Sequence, residues 1–173
     1  EQIAVKKVLS NGILSKFLAS SNADYKGNNF SGGTKVLAFE KKITKLFNVK
    51  YAVAVNSWTS GLSCAVGSLD VNPGDEIILP TWTMCGCASS ILQWNCIPVF
   101  ADIEPETYCI DPNDVEKKIT KKTKAIMAVD IFGQSSDLKK LKKIANKHKL
   151  KIISDSAQAI YSSYYNKRSG TLA

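Results

Sequence analysis

The sequence predicts an α/β protein in which helices cover both faces of a mostly parallel sheet, a three-layer α/β/α arrangement. Short apolar segments alternate four or five times with helical segments along the 173 residues. The apolar segments show little polar alternation, which is typical of parallel strands buried on both faces. In such sheets ligands bind outside the carboxyl ends of the strands, so polar residues at strand ends are the candidates for function.

The first 50 residues predict two helices and a long loop. Residues 2–9 form a helix that ends at Asn11-Gly12, a favourable helix stop. Residues 20–33 are polar and rich in glycine, which indicates a loop. Thr34 is predicted to cap the second helix. The apolar side of that helix consists of Val36, Phe39, Ile43, Leu46 and Phe47.

A strand, a polar turn and a helix are predicted between residues 51 and 69. Tyr51 to Val55 is β-rich and apolar, residues 56–61 favour turns and helix caps, and apolar residues then recur at helical spacing. This order leaves free N–H groups and the positive end of a helix dipole at a strand end, where they can hold a phosphate. The hydroxyls of Thr59 and Ser60 could reach the same anion, or could only cap the helix.

The second half of the chain repeats the pattern of strand and helix. Asn72 to Asp75 is a predicted turn, and Ser136 or Asp137 is predicted to cap the last long helix. Strands are predicted at 76–79, 97–101, 124–129 and 151–154. Helices are predicted at 83–94, from Pro112 to 119, up to His148, and briefly after Asp155.

Composition narrows the class of function. No apolar run approaches the roughly 20 residues that span a bilayer, and the first residues lack a signal-peptide layout, so we expect a cytoplasmic protein with no membrane partner. The net charge is +8, but Arg168 is the only arginine among 23 basic residues. Arginine forks usually read nucleic acids, so a nucleic-acid partner is not expected and the lysines are interpreted as solvated helix faces.

The cysteines do not indicate a metal site. Their number is odd, their spacing matches no zinc pattern, and His148 is the only histidine. We therefore expect reduced thiols, with Cys64 and Cys96 buried among apolar neighbours. The five are Cys64, Cys85, Cys87, Cys96 and Cys109.

Asp155 is the second polar strand end of interest. A carboxylate there is costly unless something pairs with it, and two partners are considered: the N-terminus of a following helix, or a cationic cofactor nitrogen. A phosphate cradle at one strand end and a carboxylate at another are what pyridoxal 5'-phosphate (PLP) requires. The carboxylate keeps the pyridine nitrogen protonated, so that the ring can accept electrons.

Six segments resemble the DegT/StrS-like sugar aminotransferases, which are fold-type-I PLP enzymes, over nearly the whole chain. The N-S-x-T-S-G and D-S-A-Q motifs within them are the most specific. The segments are FSGGTKVLAFE (30–40), YAVAVNSWTSGL (51–62), NPGDEIILPTWT (72–83), PVFADIEPETYCIDP (98–112), TKAIMAVDIFGQ (123–134) and ISDSAQA (153–159).

The resemblance implies a role for each matching residue of the cofactor site. Thr59 and Ser60 would bind the PLP phosphate, and Asp155 would pair with the pyridine nitrogen. Gln158 would hydrogen-bond the ring oxygen beside the reactive carbon. Where the family stacks an aromatic residue on the ring, this chain has Met84, whose polarisable sulfur could cover it.

A role outside the cofactor site is also implied, and two alternatives stay open. The loop Ser31-Gly32-Gly33 resembles the family's substrate-side loop. Met84 and its neighbour Trp82 could instead be plain core residues. No catalytic residue is expected within the chain, because the family's Schiff-base lysine would lie beyond Ala173.

The implied function is that of a PLP-dependent aminotransferase acting on a nucleotide-linked keto sugar, with an amino-acid amino donor and a homodimeric assembly. We expect the chain to be an N-terminal part of such an enzyme and inactive alone. Residues 1–33 would supply a helix and an active-site loop, and residues 34–173 an incomplete large domain without its C-terminal strands or small domain. A non-catalytic remnant and a PLP-dependent sugar dehydratase are the alternatives.

Overall fold

The computed structural model describes residues 1–12 and 33–171. The chain divides into two compact units, Glu1–Ala54 and Val55–Ala173. Most of the predicted loop at 20–33 lies outside the described residues, and Gly33 is its only described member.

The first unit contains two helices, α1 (Gln2–Ser10) and α2 (Thr34–Phe47). The predicted stop of α1 is confirmed: Asn11 caps the helix and Gly12 has φ +69°, which glycine adopts without strain. The expectation that Thr34 caps α2 is wrong by one residue, since Gly33 is the N-cap and Thr34 begins the helix without a side-chain cap bond.

The predicted strand at Tyr51–Val55 is also wrong, because these residues join no sheet. Tyr51 and Val53 are 74% and 80% exposed. The amide of Ala54 donates instead to Oε1 of Glu40, at 2.8 Å. A β-rich run becomes a strand only where a neighbouring strand completes its hydrogen bonds, and the described residues offer none to this segment.

The second unit is built on a four-stranded, fully parallel sheet in the order β2-β1-β3-β4. All four predicted strands are confirmed to within one residue at each end. They are β1 (Glu76–Pro80), β2 (Ile97–Ala101), β3 (Thr123–Val129) and β4 (Lys151–Asp155). A two-stranded hairpin, β5 (Ser163–Tyr164) with β6 (Lys167–Arg168), follows.

Helices lie on both faces of this sheet, as predicted. They are α3 (Trp58–Gly67), α4 (Cys85–Leu92), α5 (Pro112–Lys118) and α6 (Leu138–His148). Alternate residues of β1 separate the two layers: Ile77 packs in a core with residues of α3 and α4, and Ile78 packs in a second core with residues of α5 and α6. The alternation confirms the three-layer α/β/α architecture.

Two helices in this unit begin directly after aspartates whose side chains cap them. Asp111 accepts the amide of Asn113 at 2.8 Å and opens α5. Of the two candidates for α6, the cap is Asp137, which accepts the amide of Lys140 at 3.1 Å. The predicted helix at 83–94 is shorter at both ends, since α4 begins at Cys85 and ends at Leu92.

The helix expected after Asp155 does not form. Residues 156–162 make successive turns, in which Ala159 bonds back to Ser156 and Ser162 bonds back to Ala159. Ser156 and Gln158 direct their side chains to hydrogen-bond partners that follow β3 rather than to a helical turn.

The sequence also predicts which cysteines are buried and which lysines are exposed. Cys96 is buried as expected, but Cys64 is exposed, and all five cysteines are free thiols. The lysines of α6 lie on its exposed side, as predicted. None of the helices within the described residues is long and apolar enough to cross a membrane.

Candidate functional site

A cavity of about 330 Å³ lies at the carboxyl ends of β1, β3 and β4. Strand order reverses between β1 and β3, because the chain runs outward from β1 to β2 and then crosses back to β3. Ligands of open parallel sheets bind at such reversals. The walls comprise Trp58, Thr59, Leu62, Thr83, Met84, Cys85, Gly86, Cys87, Ser89, Val129, Asp130, Ile131, Asp155, Ala157 and Gln158.

The first turn of α3 supplies one wall. Ser57 caps this helix by accepting the amide of Ser60 at 3.1 Å, and the two hydroxyls lie 2.9 Å apart. Thr59 lines the cavity, whereas Ser60 is not among the lining residues and takes part in the cap. The structure therefore brings one of the two predicted hydroxyls to the cavity.

The first turn of α4 approaches the same wall. A Cβ atom on Gly86 would lie 2.8 Å from Oγ1 of Thr59, closer than real side chains allow. The absent side chain makes room for the threonine hydroxyl. Met84, the N-cap of α4, provides no side-chain cap bond, so the first amides of this helix have no side-chain acceptor there. Together the two helix starts form a wall that favours an anion.

Asp155 also lines the cavity and is only 4% exposed. Its Oδ1 accepts the amide of Ala157 at 3.1 Å and its Oδ2 accepts the thiol of Cys87 at 3.2 Å. Among the described residues, no lysine, arginine or histidine forms an ion pair with it. No helix follows Asp155, so helix capping does not explain this buried carboxylate, and a cation at the cavity would offset its cost.

The buried thiol of Cys87 connects Asp155 to the loop after β1. Its sulfur lies 3.0 Å from Oγ1 of Thr83. Burial is the main reason that the pKa of Cys87 is raised to about 12, and the charge of Asp155 raises it further. The thiol is therefore protonated at neutral pH and acts as a donor. Sequence reasoning missed Cys87, since nothing in the spacing of the cysteines distinguished it.

Gln158 lines the cavity, and a backbone amide fixes the orientation of its side chain. Its Oε1 accepts the amide of Phe132 at 2.9 Å. Because the amide oxygen faces this N–H group, the NH₂ group remains available as a donor.

Met84 and Trp82 both lie at the surface, so the alternative of a plain core role is wrong for each. Met84 lines the cavity and is 66% exposed. Trp82 is 51% exposed and is not among the lining residues. Its ring packs instead against Tyr108, at 6.2 Å between centroids. Tyr108 in turn packs against Phe132 at 6.2 Å.

Asp130 is a second buried carboxylate in the lining that sequence reasoning missed. It follows β3 directly, as Asp155 ends β4, so the rule that polar residues at strand ends are candidates would have found it. Its Oδ1 accepts the amide of Ser136 at 2.9 Å and its Oδ2 accepts the hydroxyl of Ser156 at 2.6 Å. Both oxygens have donors, so Asp130 braces the loops after β3 and β4.

The predicted substrate-side loop is largely outside the described residues. Ser31 and Gly32 are not described, and Gly33 is the N-cap of α2 in the first unit. In the described part of the chain, no group of three or more histidine, cysteine or acidic residues could hold a metal ion.

Comparison with known proteins finds a matching family model and similar sequences. The model of the DegT/DnrJ/EryC1/StrS aminotransferase family matches residues 13–173. The chain is 39% identical over 141 residues to GDP-perosamine synthase of Vibrio cholerae, covering 82% of this chain and 38% of that protein. It is 32% identical over 158 residues to 3-oxo-glucose-6-phosphate:glutamate aminotransferase of Bacillus subtilis, covering 91% of this chain and 36% of that protein.

A solved structure shares the fold. NtdA from Bacillus subtilis, determined with bound cofactor PMP, has a TM-score of 0.82 and 31% identity over 97% of this chain and 35% of that chain. The chain thus spans little more than a third of the length of these relatives.

Proposed function

The chain belongs to the DegT/DnrJ/EryC1/StrS aminotransferase family, and from this premise we propose that its cavity is a PLP site. The proposal rests on one observation above the others. A buried carboxylate without a cationic partner among the described residues, Asp155, lines the same cavity as an anion-favouring wall at Thr59 and Gly86. PLP carries a phosphate at one end and a protonatable nitrogen at the other, so it complements both features.

The residues present fit the cofactor, each through its own chemistry. Thr59 and the starts of α3 and α4 hold the phosphate, with Ser60 stabilising the start of α3. Asp155 accepts from the ring nitrogen and keeps it protonated, while the NH₂ group of Gln158 donates to the ring oxygen. Met84 covers a face of the ring. When bound, PLP supplies an electron sink for chemistry at an amino-bearing carbon.

For the whole protein we propose transfer of an amino group from an amino acid to the keto group of a nucleotide-linked sugar. The names of the relatives support this, since one refers to a GDP-sugar and the other to an oxo-sugar phosphate with glutamate. We assign residues 34–173 to the cofactor-binding domain and Ser31, Gly32 and Gly33 to the substrate side. We also propose a homodimer, on the resemblance to the family.

The test is to titrate the 173-residue chain and its variant Asp155→Asn with PLP and to measure binding by absorbance and fluorescence. Losing a charge-assisted hydrogen bond costs about 1.5–3 kcal/mol, so we expect roughly 10- to 100-fold weaker binding. Benzyl phosphate, which has no ring nitrogen, serves as the probe that should not distinguish the variant from the original chain.

Asp70→Asn is the matched control, because Asp70 is exposed, lies outside the cavity and has φ +56°, which asparagine tolerates. It should leave PLP affinity unchanged. In the absence of PLP, Asp155→Asn should not lower thermal stability, since it removes a buried charge. Equal PLP affinity of Asp155→Asn and the original chain would contradict the proposed role.

A further inference from the structure

Three side chains that line the cavity form a directed hydrogen-bond chain. The sulfur of Cys87 lies 3.0 Å from Oγ1 of Thr83 and 3.2 Å from Oδ2 of Asp155. An ionised carboxylate only accepts, so the single thiol hydrogen points to Asp155. The hydroxyl of Thr83 must then donate to the sulfur. Each residue in the chain therefore sets the direction of the next.

The carboxylate of Asp155 is held at both oxygens by this arrangement. Oδ1 takes the amide of Ala157, and Oδ2 takes the thiol of Cys87. Each oxygen keeps a lone pair for a ligand. A thiol is a weak donor without charge, so it orients the carboxylate while leaving its negative charge available to a cation in the cavity. A lysine at the same place would instead neutralise it.

We propose that Cys87 is the positioning residue that aims Asp155 at the pyridine nitrogen of the cofactor, and that Thr83 fixes the direction of its thiol hydrogen. The inference rests on the proposed PLP site and adds two residues to it. It predicts that the thiol matters through its hydrogen bond rather than through its volume.

PLP titration of the full chain distinguishes the hydrogen bond of the Cys87 thiol from the volume that the side chain fills. Cys87→Ala removes the donor, and we expect about fivefold weaker binding, the worth of one ordinary hydrogen bond. Cys87→Ser restores a donor in a similar volume and should recover binding to within about twofold. Cys96→Ala is the matched control, because Cys96 is buried but does not line the cavity.

A double-mutant cycle tests whether Cys87 acts through Asp155. In the Asp155→Asn background, Cys87→Ala should have no further effect on PLP affinity, and benzyl phosphate binding should not respond to Cys87→Ala. Thr83→Val is the second variant, which removes the hydroxyl without emptying the Cys87 position. It should weaken PLP binding in the same direction, and it keeps the test decisive if Cys87→Ala does not fold.

The outcomes distinguish the two proposals. Absence of PLP binding by the original chain would overturn the PLP site itself. Binding that Cys87→Ala leaves unchanged, or that Cys87→Ser fails to recover, would overturn only the positioning role. A loss that persists undiminished in the Asp155→Asn background would show that Cys87 acts through packing.

Discussion

Gly86→Ala adds one methyl group at the point where α4 meets Thr59. The new Cβ would lie 2.8 Å from Oγ1 of Thr59, but 3.7 Å and 3.8 Å from its Cγ2 and Cβ, which are ordinary contacts. Only the hydroxyl therefore has to move, by rotation of the side chain, at about 0.5–1.5 kcal/mol. Alanine's helix preference over glycine, about 1 kcal/mol in a helix interior, offsets this cost only in part because Gly86 is the second residue of α4. Stability should therefore fall by less than about 1.5 kcal/mol.

The ligand should respond much more strongly than the fold. With the hydroxyl displaced, the phosphate loses a charge-assisted hydrogen bond worth about 1.5–3 kcal/mol, which is roughly a 10- to 100-fold loss of PLP affinity. Titration with PLP and thermal unfolding measure the two effects on the same samples. Gly61→Ala is the control, since its Cβ would meet only Cγ2 of Val55 at 3.4 Å. Wild-type PLP affinity in Gly86→Ala would refute the phosphate wall.

Two further predictions concern stability. Gly67→Ala would place a Cβ 2.1 Å from Cζ2 of Trp94, and the indole is held in place because its Nε1 donates to the carbonyl oxygen of Ser63 at 2.8 Å. We therefore expect the variant to lose about 3 kcal/mol of stability in urea unfolding. A loss under about 1 kcal/mol would show that the indole moves freely. Burial would raise the pKa of Asp137, but hydrogen bonds from Tyr164 and Lys140 outweigh burial and lower the pKa below the usual range of an aspartate. This stabilisation is therefore full at neutral pH and is lost as the pH falls through the folded-state pKa. Tyr164→Phe should therefore destabilise the fold more at pH 7 than at pH 3, and an equal loss at both would contradict the linkage.

The strands and caps of the second unit were predictable because local signals and tertiary structure agree there. Continuous apolar runs such as β3 are buried on both faces, and Asp111 before Pro112 determines where α5 begins. Asp155 was predictable at the cavity for a geometric reason: it ends β4, and polar residues at the carboxyl ends of parallel strands come to one edge of the sheet. Thr59 was predicted from a preceding strand that does not form, and it reaches the cavity from the first turn of α3 instead.

The wrong or missing predictions concern segments whose conformation or contacts depend on residues distant in sequence. Residues 51–55 have strand propensity, but they lack a neighbouring strand in the described part of the chain. The turns after Asp155 depend on bonds from Ser156 and Gln158 to the residues after β3, which no local pattern encodes. Cys87 reaches Asp155 across 68 positions of sequence, so only the assembled structure reveals the pair.

Thr59 precedes the first strand and Asp155 ends the fourth, so the cavity forms only when distant parts of the chain come together. The carboxyl ends of β1, β3 and β4 form the cavity, so these three strands must pair before a single molecule can contact both residues. A ligand that contacts both residues binds only the folded arrangement and therefore stabilises it by mass action. The added stability grows with the logarithm of the ratio of ligand concentration to dissociation constant. Occupancy by such a ligand would therefore report that β1, β3 and β4 are paired.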